Sequence, residues 1–476
     1  MRAPTSLPFG LEAAISPLAP KVNSLLLLSC LFISELCIAV MLVAFYVKGD
    51  RPFTLLLSDR SGIVFLMAGA GLVLAAAVIV SQYKASLRSR SHDFRLLLTI
   101  HLAMVILVLI TAEVAIRAGT SRSTEGEIWR WRMLLPKSWS NIALYERKLL
   151  DQQADRLSYL VYDDLMGWTI GPNKRSANGL YYSSWEGIRA PHEGISFARI
   201  TNKVRIALVG DSFTFGDDVR YEDSWAYFLQ EGLGSKFEVL NFGVSGYGVD
   251  QAYLRYEKDV RGWKPNIVIF GLVSDDFERT MRLYPALSSW VNFPFSKPRF
   301  LLRNGNLKAL NVPPLTPKDT FSRESISELP FLEYDRSYKP SQWQSSFVHH
   351  SYLARVVMTL FPRWEDAGDD NSDSALSSVN ASILNAFIQS AASERTIPII
   401  VYFAQKAEFA EVAPTLPIGK KVLQEAGIAY TDLTPCVMPL KSAERFVDKL
   451  SHYTAEGNAR VAQCLLKRIN EAVSQH

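Results

Sequence analysis

Three long apolar runs near the start of the chain limit what it can fold into more than any other feature. Asn23–Val47 reads "NSLLLLSCLFISELCIAVMLVAFYV", Gly62–Gln82 reads "GIVFLMAGAGLVLAAAVIVSQ", and Leu96–Ile116 reads "LLLTIHLAMVILVLITAEVAI". Each is about 20 residues long, the length a helix needs to cross roughly 30 Å of hydrocarbon. A cleaved signal peptide has one short apolar core and then stops, so three runs argue against one. Residues 1–120 therefore read as a membrane anchor with three transmembrane helices, at about 23–47, 62–82 and 96–116.

Basic residues orient the anchor, because short cytoplasmic loops carry the excess of Lys and Arg. Lys84, Arg88, Arg90 and Arg95 lie between the second and third runs, against the single acid Asp93. Arg2 and Lys21 precede the first run, whereas Lys48, Arg51 and Arg60 are diluted by Asp50 and Asp59. The N-terminus and second loop are thus expected in the cytoplasm. Three crossings carry the rest of the chain through the inner membrane, to the periplasm or the cell exterior.

Glu35 and His101 fall inside the first and third runs. Ionisable groups at that depth are costly and are functional candidates; the alternative is a hydrogen bond across a three-helix bundle. The run Ala68-Gly69-Ala70-Gly71 would let two helices approach closely. Cys30 and Cys37 lie in the first run, where packing is the default. Cys436 and Cys464 would face an oxidising compartment, where a disulfide is one of two open outcomes.

The 476-residue chain carries a net charge of only +4 and has no basic cluster interleaved with aromatics, so a nucleic-acid partner is not expected. From residue 201 to 476 short Val/Ile/Leu runs alternate with helical patterns. Strands are expected at Val204–Val209, Val239–Phe242, Ile267–Leu272, Ile397–Phe403 and Ile428–Leu433, with a closing helix at Ala455–Ala472. Continuous apolar strands separated by helices indicate a parallel sheet covered on both faces, an α/β domain. Residues 121–200 read as an ordered lead-in. Residues 281–373 interrupt the alternation as an insertion packed over the site, with a hairpin around Asn304-Gly305-Asn306.

In such a sheet, ligands bind beyond the carboxyl ends of the strands. There "VGDSFTFG" places Gly210-Asp211-Ser212 after the first strand. A serine hydroxyl becomes a nucleophile when a base takes its proton and donors hold the developing oxyanion. Among the histidines after the anchor, His192 precedes the sheet, His349 and His350 lie in the insertion, and His476 is terminal. His452 remains as the base, with Asp448 upstream to orient it, following the logic of a catalytic triad. Asp217 and Asp218 are read as serving a helix N-terminus. His349-His350 lacks the carboxylate spacing of a metal site, and no metal or organic cofactor is expected.

These blocks resemble the SGNH/GDSL hydrolase family. Gly210-Asp211-Ser212 matches its first block, "NFGVSGYGVDQ" (Asn241–Gln251) its second, and "FVDKLSHYTAEGN" (Phe446–Asn458) its last. Gly167-Trp168, Pro172-Asn173 and Gly187-Ile188-Arg189 also resemble membrane-tethered members. The resemblance implies a three-layer α/β/α sandwich with Ser212 as nucleophile, His452 and Asp448 as its partners, and an oxyanion hole from the Ser212 and Gly246 N–H groups. Two departures stand out. Asp275 occupies the place where the family's Asn completes the oxyanion hole, or Ser274 does if the alignment shifts by one. Asp448 and His452 have three residues between them, where two are usual. An ionised Asp cannot donate a hydrogen bond, and one lost donor costs roughly 10²–10³ in rate. Asp275 is then held protonated, or the hole rests on backbone N–H groups, or catalysis is weak.

The implied activity is a membrane-anchored serine esterase or acyltransferase. Its substrate would be ester or O-acetyl groups of an extracytoplasmic glycan or lipid. The alternative is a catalytically weak carbohydrate-binding or assembly subunit of envelope polysaccharide machinery.

Overall fold

The computed structural model describes residues 23–49, 60–89, 93–123, 126–153, 159–288, 293–409, 416–447 and 452–474. The chain divides into two compact units, Met1–Lys137 with Ser341–Asp366, and Ser138–Pro340 with Ala367–His476.

Helices α1 (Ser24–Lys48), α2 (Arg60–Ser89) and α3 (Asp93–Ala118) dominate the first unit. Among the described residues, three stretches are long and apolar enough to cross a membrane: Ser24–Lys48, Gly62–Leu87 and Phe94–Ala118. The first matches its apolar run to within one residue, and the other two run a few residues beyond theirs. Their surfaces are apolar all round, as lipid requires; Leu74 is 70% exposed. Small residues close the α1–α2 contact: a Cβ on Gly71 would meet Cys37 Sγ at 2.9 Å. Glu35 Oε1 and His101 Nε2 lie 2.8 Å apart, joining α1 to α3. This is the bundle hydrogen bond weighed above.

A short antiparallel meander follows α3, formed by Thr120–Arg122, Glu127–Trp129 and Arg132–Met133. The segment Ser341–Asp366 belongs to this first unit, although it was expected in the insertion over the site. The cause is a capping contact. The N-terminus of helix Tyr352–Leu360 leaves N–H groups unsatisfied. Glu113 of α3 accepts hydrogen bonds from Tyr352 N and Leu353 N, both at 2.9 Å.

The second unit is built on five parallel strands: β1 (Val204–Val209), β2 (Phe237–Asn241), β3 (Ile267–Leu272), β4 (Ile397–Tyr402) and β5 (Thr431–Asp432). Their order across the sheet is β5-β4-β3-β1-β2. The helices that matter here are α4 (Ser212–Phe215), α5 (Trp225–Leu233), α6 (Val249–Arg255), α7 (Ser274–Arg279), α8 (Asp373–Ser393), α9 (Ile418–Glu425) and α10 (Ala455–Ser474).

Successive strand residues point to opposite faces, and both sets are apolar here. Val209, Phe270 and Ile400 pack with Ala252 of α6, Phe387 of α8 and Leu423 of α9. Leu208, Ile269 and Val401 pack with Leu229 of α5 and Leu465 of α10. This is a three-layer α/β/α sandwich, as the unbroken Val/Ile/Leu runs require. Truncating a fully buried strand residue such as Ile269 to alanine is expected to cost about 2–5 kcal/mol.

Outside the sheet, the expected hairpin is present, and of the two outcomes left open for Cys436 and Cys464 the disulfide is the one found. Strands Arg299–Arg303 and Asn306–Leu310 pair as a hairpin, with Asn304 and Gly305 both at positive φ, the geometry of a two-residue primed turn. A disulfide joins Cys436 to Cys464 of α10 across a sequence separation of 28.

Candidate active site

Strand β1 delivers its chain to a crowded corner. Gly210 has φ 151°, and a Cβ there would meet Thr214 Oγ1 at 2.1 Å and Gly271 O at 2.5 Å. Only glycine lets the backbone turn here. Asp211 then caps α4, its carboxylate accepting from Phe213 N at 2.9 Å. Ser212 opens that helix and is 5% exposed.

His452 comes from the loop ahead of α10. A bridge between Phe446 and Tyr453 holds that loop, and the ring of Phe213 meets the imidazole edge-on at 5.1 Å between centroids. His452 Nε2 lies 2.9 Å from Ser212 Oγ, although 240 residues separate them in sequence. The other ring nitrogen, Nδ1, lies 2.5 Å from Asp218 Oδ2. Hydroxyl, imidazole and carboxylate thus stand in line, the relation that lets an imidazole accept a serine proton while a carboxylate fixes its tautomer.

Asp448 lies outside the described residues. The acid that does face His452, Asp218, was assigned to a helix N-terminus from the sequence, and the structure corrects that assignment. Asp211 already fills the cap. The chain leaves α4 through Gly216 in the left-handed region at φ 80°. Asp217 and Asp218 therefore follow the C-terminal end of the helix. Asp218 is itself at φ 68°, a conformation Asp tolerates better than most residues.

Arg189 holds this loop. Its buried guanidinium donates to Phe215 O, to Gly216 O at 2.5 Å and to Val219 O at 2.7 Å. Tyr181 adds a hydrogen bond from Asp218 N to its hydroxyl at 2.8 Å. Arg189 and Tyr181, both from the lead-in, thereby position Asp218, a role their sequence alone does not signal.

The electrostatics favour an imidazolium. Burial alone would lower the His452 pKa, but the hydrogen bond to Asp218 and the charges of Asp217, Asp218 and Asp211 outweigh it, and the net shift is upward from 6.5. Burial pushes Asp217 up from the ordinary carboxylate value, against the pull of His452 and a hydrogen bond from Ser245. Asp276 is pushed well up, first by burial and then by Asp211. Arg279 sits between these last two acids, 3.2 Å from Asp211 and 2.8 Å from Asp276. Asp276 also accepts from Val273 N at 2.9 Å, which fixes the end of β3.

Gly246, on the loop after β2, has φ 83°. Among the described residues, neither its N–H nor that of Ser212 donates to another protein group. Asp275 is placed differently from an oxyanion donor. Its side chain is 61% exposed and accepts from Gln405 Nε2 at 2.8 Å, and no hydrogen bond joins it to Ser212 or His452. Ser274, the shifted alternative, is engaged elsewhere, 2.6 Å from the Tyr402 hydroxyl and accepting from Gly419 N at 3.2 Å. No group of three or more metal-ligating side chains occurs among the described residues.

No protein-family model matches the chain, and no curated protein matches it. Solved structures do. The psychrotrophic esterase EstA from Pseudoalteromonas sp. is 9% identical, with a TM-score of 0.30, covering 57% of this chain and 100% of its own. A GDSL-like lipase from Bacteroides thetaiotaomicron is 11% identical, with a TM-score of 0.28, covering 58% and 93%. The acetyl xylan esterase AlAXEase is 13% identical, with a TM-score of 0.30, covering 56% and 100%. What this chain can do chemically follows from its own site.

Proposed function

We propose that this chain is a membrane-anchored serine esterase of the SGNH type, acting outside the cytoplasm on ester or O-acetyl groups of a glycan or lipid. The observation that carries the proposal is the line Ser212 Oγ–His452 Nε2–Asp218, with contacts of 2.9 and 2.5 Å. In this reading His452 takes the hydroxyl proton as Ser212 Oγ attacks the acyl carbon. The oxyanion forms on the Ser212 and Gly246 N–H groups. Collapse breaks the ester C–O bond, and the leaving alkoxide takes the proton back from His452. Water then attacks the acyl-serine with His452 again as base, releasing the acid; a sugar hydroxyl in place of water gives transfer.

Asp218 takes the orienting role, and the hole rests on backbone donors without Asp275. The raised His452 pKa fits a site built to stabilise the imidazolium that forms in each transition state. The test is turnover of acetyl esters by the full chain in membranes. Wild-type activity with loss in Ser212→Ala supports the proposal. Wild-type protein that is inert toward every acyl ester offered, with the cellular phenotype intact in Ser212→Ala, favours the carbohydrate-binding alternative. Periplasmic placement is checked by cysteine labelling from outside intact cells.

A further inference from the structure

The first unit carries a polar and aromatic collar where its helices end. Segment Ser341–Asp366 touches the C-terminal ends of both α1 and α3. Trp364 N donates to Val47 O at 3.0 Å, and Arg117 Nη2 donates to His350 O at 2.6 Å. Arg355 ties the segment to the meander through Glu127 and through Leu135 O at 2.8 Å. These joints are polar, yet much of the outer surface is apolar. Trp131 is 76% exposed, Phe347 88%, Val348 48%, Leu360 43% and Phe361 48%. Exposed arginines accompany them at Arg122, Arg130 and Arg132, and Arg130 lies 5.0 Å from the centroid of the Trp129 ring.

Phe361 fixes the depth of this surface. It lines a 460 Å³ apolar cavity with Val40, Val43, Val47 of α1 and Val64 of α2. Val40 precedes the end of α1 at Lys48 by about two helical turns, some 12 Å at 1.5 Å per residue. A phenyl ring beside that stretch of a spanning helix is within the hydrocarbon or at its boundary. An element that starts there and carries exposed Trp, Phe and Arg has the composition of an interfacial one, since aromatic belts and basic side chains concentrate at the headgroup level.

We infer that Ser341–Asp366 and the meander strands Thr120–Arg122, Glu127–Trp129 and Arg132–Met133 form an interfacial collar that docks on the bilayer, with Phe347, Val348, Leu360 and Phe361 inserted and the arginines on lipid phosphates. The occupant of this apolar surface is the phospholipid of the leaflet where α1 and α3 end. The inference rests on α1–α3 spanning the membrane, and the experiment separates the two.

Nitroxide labels are placed one at a time on the full chain through Phe347→Cys, Phe361→Cys, Leu74→Cys and Ile200→Cys, with Cys30 and Cys37 replaced by serine. The protein is reconstituted in vesicles of phosphatidylcholine and phosphatidylglycerol. Collisional relaxation by oxygen reports lipid, and relaxation by a water-soluble nickel chelate reports water. Leu74, midway along α2, is the span control; Ile200, 91% exposed in the second unit, is the water control. The collar predicts oxygen-dominated relaxation at residues 347, 361 and 74, and nickel-dominated relaxation at 200. Nickel-dominated relaxation at 347 and 361 with oxygen at 74 overturns the collar and leaves the spans standing. Nickel at 74 overturns both.

Discussion

Among the described residues two carboxylate–imidazole pairs occur, one in each unit. Glu35 and His101 meet at 2.8 Å between the apolar helices α1 and α3, and Asp218 and His452 meet at 2.5 Å beside the sheet. The pairs differ in what lies beyond the ring. His452 offers its second nitrogen to a serine hydroxyl that opens a helix, with N–H groups at Ser212 and Gly246 that donate to no protein group among the described residues. His101 is buried between helices with no nucleophile among its hydrogen-bond partners. A carboxylate–imidazole contact is therefore not itself a sign of catalysis. In the proposed reading the third partner and the anion-receiving surroundings supply the chemistry, while the pair between the apolar helices satisfies two polar groups that lipid would not solvate.

This contrast can be broken at either pair. Ser212→Ala removes the third partner and should lower ester turnover by roughly 10⁶, the scale on which triad nucleophiles matter. Retention of most of the activity would detach the site from the reaction. Asp218→Asn keeps the shape of the pair but lets the neutral amide favour the wrong imidazole tautomer, and a loss of roughly 10⁴ in kcat is expected. The same substitution should move the pH profile. Turnover needs neutral His452, whose pKa is raised above 6.5 by Asp218 and its neighbours, so the acidic limb of kcat/KM should have its midpoint above 6.5. Asp218→Asn removes an upward influence and should shift that midpoint down. A midpoint that does not respond would assign the limb to another group.

Asp275→Asn tests the oxyanion hole. The carboxylate accepts from Gln405 and cannot donate while ionised. Because the side chain is turned to Gln405 and the hole rests on backbone donors, an amide there should leave kcat little changed; a rise approaching roughly 10²–10³, the worth of one added donor, would place residue 275 in the hole. A fall in kcat would show that the acid itself is used. Smallest is Glu35→Gln, which keeps an acceptor for His101 and should leave ester turnover unchanged, with a stability loss of about 1 kcal/mol readable by thermal unfolding in detergent. Loss of turnover with intact folding would connect the membrane pair to the site.

What the sequence made legible was local or strongly periodic. Spanning length announced α1–α3, unbroken apolar runs announced the five strands, and the turn at Gly210-Asp211-Ser212 declared itself within a few residues. His452 was found by elimination. Asp218 was not found, because its role depends on a loop fixed by Arg189, 29 positions upstream, and on a left-handed turn at Gly216 that a residue pattern does not display. The adjacent pair Asp217-Asp218, just after a Gly, was the available signal. The membership of Ser341–Asp366 in the first unit was hidden for a similar reason. Glu113 and Leu353 are 240 positions apart, and nothing between them marks the pairing.

The most direct test of the central claim is covalent trapping. The full chain in membranes is treated with a serine-directed fluorophosphonate, and the adduct is located by peptide mass spectrometry. A single adduct on Ser212 is predicted, absent in Ser212→Ala, strongly slowed in Asp218→Asn and unchanged in Glu35→Gln. An unlabelled wild-type chain that is folded, or labelling of Ser212 at the same rate in Asp218→Asn, would contradict the assignment of His452 and Asp218 as the groups that activate this serine.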